Sequence, residues 1–255
     1  MKYGFCMAAA ALMAMDGVPV ASAAPVPSIE QAVAATSARS QANVVLDAGR
    51  KPAEVLRFLG LKRGMRVIDM VGGNGYWAEI MAPAVGPRGR VTIWQPTQFY
   101  SQKTVDAFAA GVGKRSNVAL ISSPWEAPVL PARQYDFLLI NLDYHDVYYV
   151  NPKRGIVRQE PGPWLARVSA AMKPGAILGV IDHSAVAGSD PRESVEKLHR
   201  IDPALALADW ERAGFKLEAQ SVLLRNPDDK LDTLVFDPAI RGKTDRFLYR
   251  FRKVG

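Results

Sequence analysis

Cysteine is nearly missing from this chain of 255 residues: Cys6 is the only one, and it follows Tyr3-Gly4-Phe5 close to the start. Disulfide staples, thiolate metal sites and a cysteine nucleophile are therefore excluded downstream. Long apolar runs are missing too. Tyr3 to Met15 is nearly all apolar but falls well short of the about 20 residues that cross a bilayer, and Asp16 and Pro19 prevent its extension. No later stretch comes closer, so no stable membrane anchor is expected. Histidine is scarce, with three in all, and no tight ligand spacing such as His-x-x-x-His occurs. Internal repeats are lacking.

The chain does have an ordinary globular composition, 49% apolar and 22% charged, and is long enough for one large α/β domain with a two-sided sheet. Lys2, the apolar run and the small residues Ala21-Ser22-Ala23 stand in the order of a cleavable export signal over residues 1–23. The expected location is periplasmic or secreted. Residues 24–42, rich in Pro, Ala, Ser and Gln, read as a flexible lead-in, and 43–255 as the domain. Net charge is +7, but the basic residues cluster only at Arg241, Lys243, Arg246, Arg250, Arg252 and Lys253. Their alternation predicts one solvated face of a strand rather than a nucleic-acid patch.

Between Asn43 and Leu59 the apolar spacing predicts two helices, with Pro52 opening the second. Short β-rich runs then alternate with helical ones. The expected strands are 66–69, 89–94, 117–122, 135–141 and 176–182; the stretches 76–85, 101–112 and 163–172 cross over between them. Helices over 195–199 and 205–213 precede two final strands, 215–224 and 245–252, which lack a crossover helix and should pair antiparallel. The fold class is α/β: a doubly wound, mostly parallel seven-stranded sheet with an antiparallel C-terminal edge.

The most informative segment is Val67-Ile68-Asp69-Met70-Val71-Gly72-Gly73-Asn74-Gly75-Tyr76-Trp77, a strand carrying an acid, then a glycine turn, then a helix. Glycines let a backbone approach a ligand, and the helix start offers free N–H groups. The dinucleotide spacing G-x-G-x-x-G fails here. The segment instead resembles the first motif of class I methyltransferases, with Asp69, Gly73 and Gly75 on matching positions and Val71 where glycine is usual. That resemblance implies S-adenosylmethionine as cofactor. It places Gly72, Gly73 and Gly75 beneath its methionine portion, Asp69 ordering the turn and the amine, Trp125 near the adenine and Asn141 at the cleft. The acid usual at the end of the second strand is replaced by Gln95, which can still donate and accept a hydrogen bond to ribose, though without charge. More broadly, residues 43–255 resemble a family of exported bacterial predicted methyltransferases. The marks are Tyr76-Trp77 after the turn, the Asn141–Asp146 segment, Ile181-Asp182-His183-Ser184-Ala185, Leu198-His199-Arg200-Ile201-Asp202 and the run Arg241 to Phe247.

His145 follows the fourth strand, His183 the fifth, and His199 lies in the next helix, so strand ends should gather Asn141, Asp143, His145, Asp146, Asp182 and His183 around one cleft. Methyl transfer to a hydroxyl or amine needs a proton acceptor. We expect His145 as that base, oriented by Asp146 or Asp182, with His183 as its competitor. The same residues can bind a divalent metal, but general base ranks ahead and no resident metal is expected. Tyr148 and Tyr149 are candidates for contact with an apolar acceptor. The leading expectation is a methyltransferase acting on a small-molecule or cell-envelope acceptor. A non-catalytic nucleoside or metabolite-binding module on the same fold, and a metal-dependent hydrolase built on the His and Asp cluster, stay open beside it.

Overall fold

The computed structural model describes Met1 and residues 25–255; the expected export signal, past Met1, and Cys6 lie outside the described residues. Much of residues 25–42, where the composition points to a flexible lead-in, is helical. Helix α1 (Ile29–Ala34) begins with a capping box in which the Ser28 hydroxyl accepts from the Gln31 N–H and the Gln31 side chain accepts from the Ser28 N–H. Ala32 on this helix is buried. Further on, the Arg39 guanidinium is buried in a two-pronged ion pair with Asp47 at 2.7 and 2.8 Å. A cap and a buried charge pair supply the order that Pro- and Ala-rich composition conceals.

Three short helices follow, α2 (Gln41–Val44), α3 (Asp47–Arg50) and α4 (Pro52–Leu59), the last opened by Pro52 and ended by Gly60 in the left-handed conformation. Then come β1 (Arg66–Met70), α5 (Tyr76–Val85), β2 (Arg90–Pro96), α6 (Gln102–Ala110), β3 (Val118–Ser123), β4 (Tyr135–Asn141), α7 (Pro161–Ala171) and β5 (Met172–His183). Helices α8 (Pro191–Leu198) and α9 (Pro203–Arg212) lead to β6 (Phe215–Ser221) and β7 (Arg246–Lys253). The seven strands lie in the order β3-β2-β1-β4-β5-β7-β6. The first five are parallel, and β7 runs antiparallel between β5 and β6. This is the doubly wound sheet with an antiparallel C-terminal edge that the alternation of elements predicts.

Strand alternation builds two cores, one on each face. On β1, Ile68 and Met70 join the layer containing Trp94, Trp125 and Trp164, while Val67 joins the layer of α4 and α5. The basic stripe of β7 departs from expectation. Arg246 donates to the Gly49 carbonyl and Arg250 to that of Phe58, while Arg252 forms a two-pronged pair with Glu218. Arg246 and Arg250 thus anchor the N-terminal helices to the sheet instead of facing solvent. Among the described residues no helix is long and apolar enough to cross a membrane.

Candidate active site

The strand order reverses between β1 and β4, and such a switch point leaves a crevice beyond the carboxyl ends of the strands. On the β1 side, Asp69 is buried, its Oδ2 has no hydrogen-bond partner among the described residues, and burial pushes its carboxyl up to about 7 against the opposing pull of Arg50. The turn is moulded on that carboxylate: a Cβ on Gly72 would stand 2.7 Å from Asp69 Oδ2 and 2.8 Å from Ile93 Cγ2. Gly75, at φ +85°, has no room for a side chain either, since its Cβ would meet Val112 Cγ1 at 2.6 Å. Gly73, at φ +54°, is different: only the Val71 carbonyl lies near, at 3.8 Å, so a side chain there would enter open space. Val71 itself stands at φ +55°, a conformation costly for a β-branched residue.

Gln95, at the end of β2, closes the turn. Its Oε1 accepts from the Gly73 N–H at 2.9 Å and its Nε2 donates to the Phe99 carbonyl at 3.1 Å. Each end of the buried amide thus makes one hydrogen bond within the protein, which leaves one lone pair and one N–H for a further partner. Trp125 is fully buried, with its ring between Trp94 at 5.8 Å and Trp164 at 5.3 Å. It belongs to the core rather than to an open adenine face. Asn141 ends β4 half-buried, paired in register with Ile181.

Arg50 is a site residue without a counterpart among the sequence expectations. Its guanidinium sits 4.2 Å from the centre of the Tyr76 ring, close enough to Asp69 and Asp143 to feel both charges. Tyr76 is fixed in turn by donating its hydroxyl to Asp47 at 2.8 Å. An arginine in a short helix carries no local signature; only the neighbouring Lys51, held in the left-handed conformation, marks the special backbone there.

On the β4 and β5 side the expected residues do converge. The chain leaves β4 through Leu142, another non-glycine residue at positive φ (+66°), into a short turn carrying Tyr144 to Val147. His145 is 2% exposed. Its Nδ1 meets Asp182 Oδ1 at 2.8 Å, and its backbone N–H donates to Asp182 Oδ2 at 2.8 Å. Asp182, fully buried, also accepts from the His183 N–H at 2.8 Å. On the far side of the ring, His145 Nε2 lies 3.2 Å from His199 Nδ1 and 3.4 Å from Asp146 Oδ1. Burial disfavours the charged imidazolium of His145, but Asp182, Asp146 and Asp143 outweigh it and raise its pKa to about 9. Burial, reinforced by Asp146, pushes Asp143 well above the usual carboxylate range.

His183 has the opposite setting. Burial, with the charges of His145, Arg246 and Arg200 around it, holds its pKa well below the usual imidazole value. Its Nδ1 is tied to Thr244 Oγ1 at 2.7 Å. Of the two imidazoles expected to compete for the role of base, His183 is the neutral one, and His145 has both nitrogens engaged. Tyr148 is no free acceptor contact, because its hydroxyl and that of Tyr144 both donate to Asp209 at 2.5 Å.

The comparisons with known proteins agree on the fold. The family model of protein-L-isoaspartate (D-aspartate) O-methyltransferases matches residues 1–111, less than half of the chain. An S-adenosylmethionine-dependent methyltransferase from Aquifex aeolicus superposes with a TM-score of 0.57 at 20% identity, over 88% of this chain and 98% of that one. Another from Mesorhizobium loti gives 0.52 at 17% identity, over 79% and 97%. The [4+2]-cyclase SpnF gives 0.57 at 18% identity, over 82% of each chain. No curated protein sequence matches this chain. The chain has the class I methyltransferase fold, and the cyclase among its structural relatives illustrates that this fold alone does not set the reaction.

Proposed function

We propose that the protein is an S-adenosylmethionine-dependent methyltransferase whose acceptor is a small molecule or a component of the cell envelope. The proposed place of action is the periplasm or the exterior, in line with the export signal read over residues 1–23. The observation that carries this reading is the buried, unpartnered Asp69 carboxylate beneath a glycine turn. A buried carboxylate without a partner is costly, and a cationic ligand group such as the cofactor ammonium relieves that cost. The open space at Gly73 fits the passage of a ligand across the turn, and Arg50 is placed for a two-pronged pair with the cofactor carboxylate. The fit is poorer at Trp125, which is stacked in the core, while the Gln95 amide keeps one donor and one acceptor for the ribose.

When bound, S-adenosylmethionine supplies an electrophilic sulfonium methyl group. The protein's part is to align the acceptor and take its proton. His183 suits the proton step, because its ring is neutral at ordinary pH and Thr244 fixes its orientation. Holding His145 by Asp182 places a positive charge behind the cleft, which steadies the anion formed as an acceptor hydroxyl is deprotonated.

Equilibrium dialysis with methyl-labelled S-adenosylmethionine tests the reading. Saturable binding that Gly73→Arg abolishes supports it, since an arginine there fills the open side of the turn without entering the core. Absence of binding to the unaltered protein at millimolar ligand would leave the binding-module reading in its place.

A further inference from the structure

We propose that His145, Asp146 and His199 form a site for a divalent transition ion of the zinc class, independent of whether the cleft transfers methyl groups. Three ligand atoms converge. His145 Nε2 and His199 Nδ1 are 3.2 Å apart, His145 Nε2 and Asp146 Oδ1 3.4 Å, and His199 Nδ1 and Asp146 Oδ1 3.6 Å. Donors about 2.0–2.1 Å from a tetrahedral zinc stand about 3.3–3.4 Å from one another, so these separations outline one face of such a tetrahedron. Once the ion displaces the proton from His145 Nε2 and takes over its positive charge, all three atoms are lone-pair donors to it. A proton shared by the two imidazoles satisfies that pair alone, and Asp146 Oδ1 stays buried without a hydrogen bond. A cation at the centre satisfies all three.

The surroundings hold the set in place. The Asp182 carboxylate fixes His145 through Nδ1, so that Nε2 is the nitrogen presented, as a carboxylate behind a ligating histidine does. His199 ends α8 at φ +51°, and the next residue, Arg200, is locked by a fully buried pair with Asp229 at 2.9 Å. The Ile201 N–H then donates to the His183 carbonyl, tying this loop to the end of β5. The rings of Tyr149 and Phe236 flank His199 at 5.0 and 4.9 Å. Two imidazoles and one carboxylate favour zinc-type ions over magnesium or calcium, which prefer oxygen shells. A three-residue set leaves one position open for water or for an oxygen or nitrogen donor of a ligand. His183 is outside it, because only the ligand atoms of His145, Asp146 and His199 converge, and the His183 ring centre is 6.2 Å from that of His145. The proposal departs from the sequence expectation of no resident metal, which weighs spacing along the chain and not the return of His199 to the end of β4.

The test is titration of zinc alone into the chelator-stripped full chain, in competition with a chromophoric chelator and followed by thermal melts. His199→Asn suits it, since asparagine tolerates the left-handed backbone there; Asp146→Asn is the second variant. One ion should bind per chain and raise the melting temperature. Each variant should weaken affinity by more than the about 10- to 100-fold that loss of a carboxylate behind a ligating histidine costs, and His183→Asn should bind zinc as the unaltered chain does. Cobalt loaded in place of zinc should give the intense visible bands of a tetrahedral ion, lost in His199→Asn. Failure of the unaltered chain to bind zinc saturably, or binding by both ligand variants as tight as that of the unaltered chain, overturns the proposal. Dialysis with labelled S-adenosylmethionine on the same stripped chain reports on the cofactor separately, so either reading can fail alone.

Discussion

If the Asp69 carboxylate receives the cofactor ammonium, affinity must follow its ionisation. Burial holds its pKa at about 7, where an ordinary aspartate sits at 3.8. That displacement sets the sign. The folded chain binds the proton more tightly than the unfolded one, so the ionised carboxylate strains the ligand-free fold above about 7, and that strain lifts as the pH falls. Ligand binding runs the other way, because it needs the ionised form. Below about 7 each unit of pH should therefore weaken S-adenosylmethionine binding up to about tenfold, or 1.4 kcal/mol, reaching about 100-fold near pH 5. Asp69→Asn should bind weakly and without this slope, while losing a charge whose burial strains the free protein by up to about 4 kcal/mol above neutrality. The assay is calorimetric titration from about pH 5 to 8 on both proteins, with melts of the ligand-free forms. A flat affinity profile in the unaltered protein, or the same slope in Asp69→Asn, would refute the reasoning.

Other consequences come from the geometry of the turn and its supports. Val71→Gly relieves a left-handed β-branched residue and should cost less than about 1 kcal/mol, whereas Val91→Gly, in a fully buried parallel strand, should cost about 3 kcal/mol in urea unfolding. Gly72→Ala drives a methyl into Asp69 and Ile93, so about 1–3 kcal/mol should be lost in the same experiment. Asp47→Ala takes the two-pronged partner from the buried Arg39 guanidinium, leaving it Glu79 at 3.8 Å, and frees the Tyr76 hydroxyl; a loss of about 3 kcal/mol is expected from thermal melts. Arg50→Ala removes the guanidinium stacked on Tyr76 and the charge that opposes the burial of Asp69, so a loss of about 0.5–2 kcal/mol is expected in thermal melts, with cofactor binding weakened by calorimetry, most for ligands that keep the carboxylate.

The sheet is legible in the sequence because its inner parallel strands are buried on both faces and carry compact apolar runs, as at Phe137-Leu138-Leu139-Ile140. The glycine turn is legible for a local reason: positive φ favours glycine at Gly73, and positive φ with close approach demands it at Gly75. Residues whose role depends on partners distant in sequence are not. Gln95 stands where an acid is usual, yet its amide serves the turn; Trp125 follows β3 as an adenine contact would, yet it is stacked in the core. Helix α1 announces itself only in Ser28 and Gln31, within a stretch whose composition points to a flexible segment. His199 is expected near the cleft but not as a partner of His145 and Asp146, since the left-handed end of α8 that returns it there has no signature in a histidine. The strained non-glycine residues Val71, Leu142 and His199 all border the same rim, which is where backbone strain is kept when a site requires it.

A crystal structure with S-adenosylhomocysteine, grown above about pH 7.5 where Asp69 is mostly ionised, tests the central claim most directly. The account predicts the ligand at the carboxyl ends of β1 and β2, its amine against Asp69 and its carboxylate toward Arg50. A ligand bound elsewhere, or a cleft that stays free of it at saturating concentration, would contradict the account.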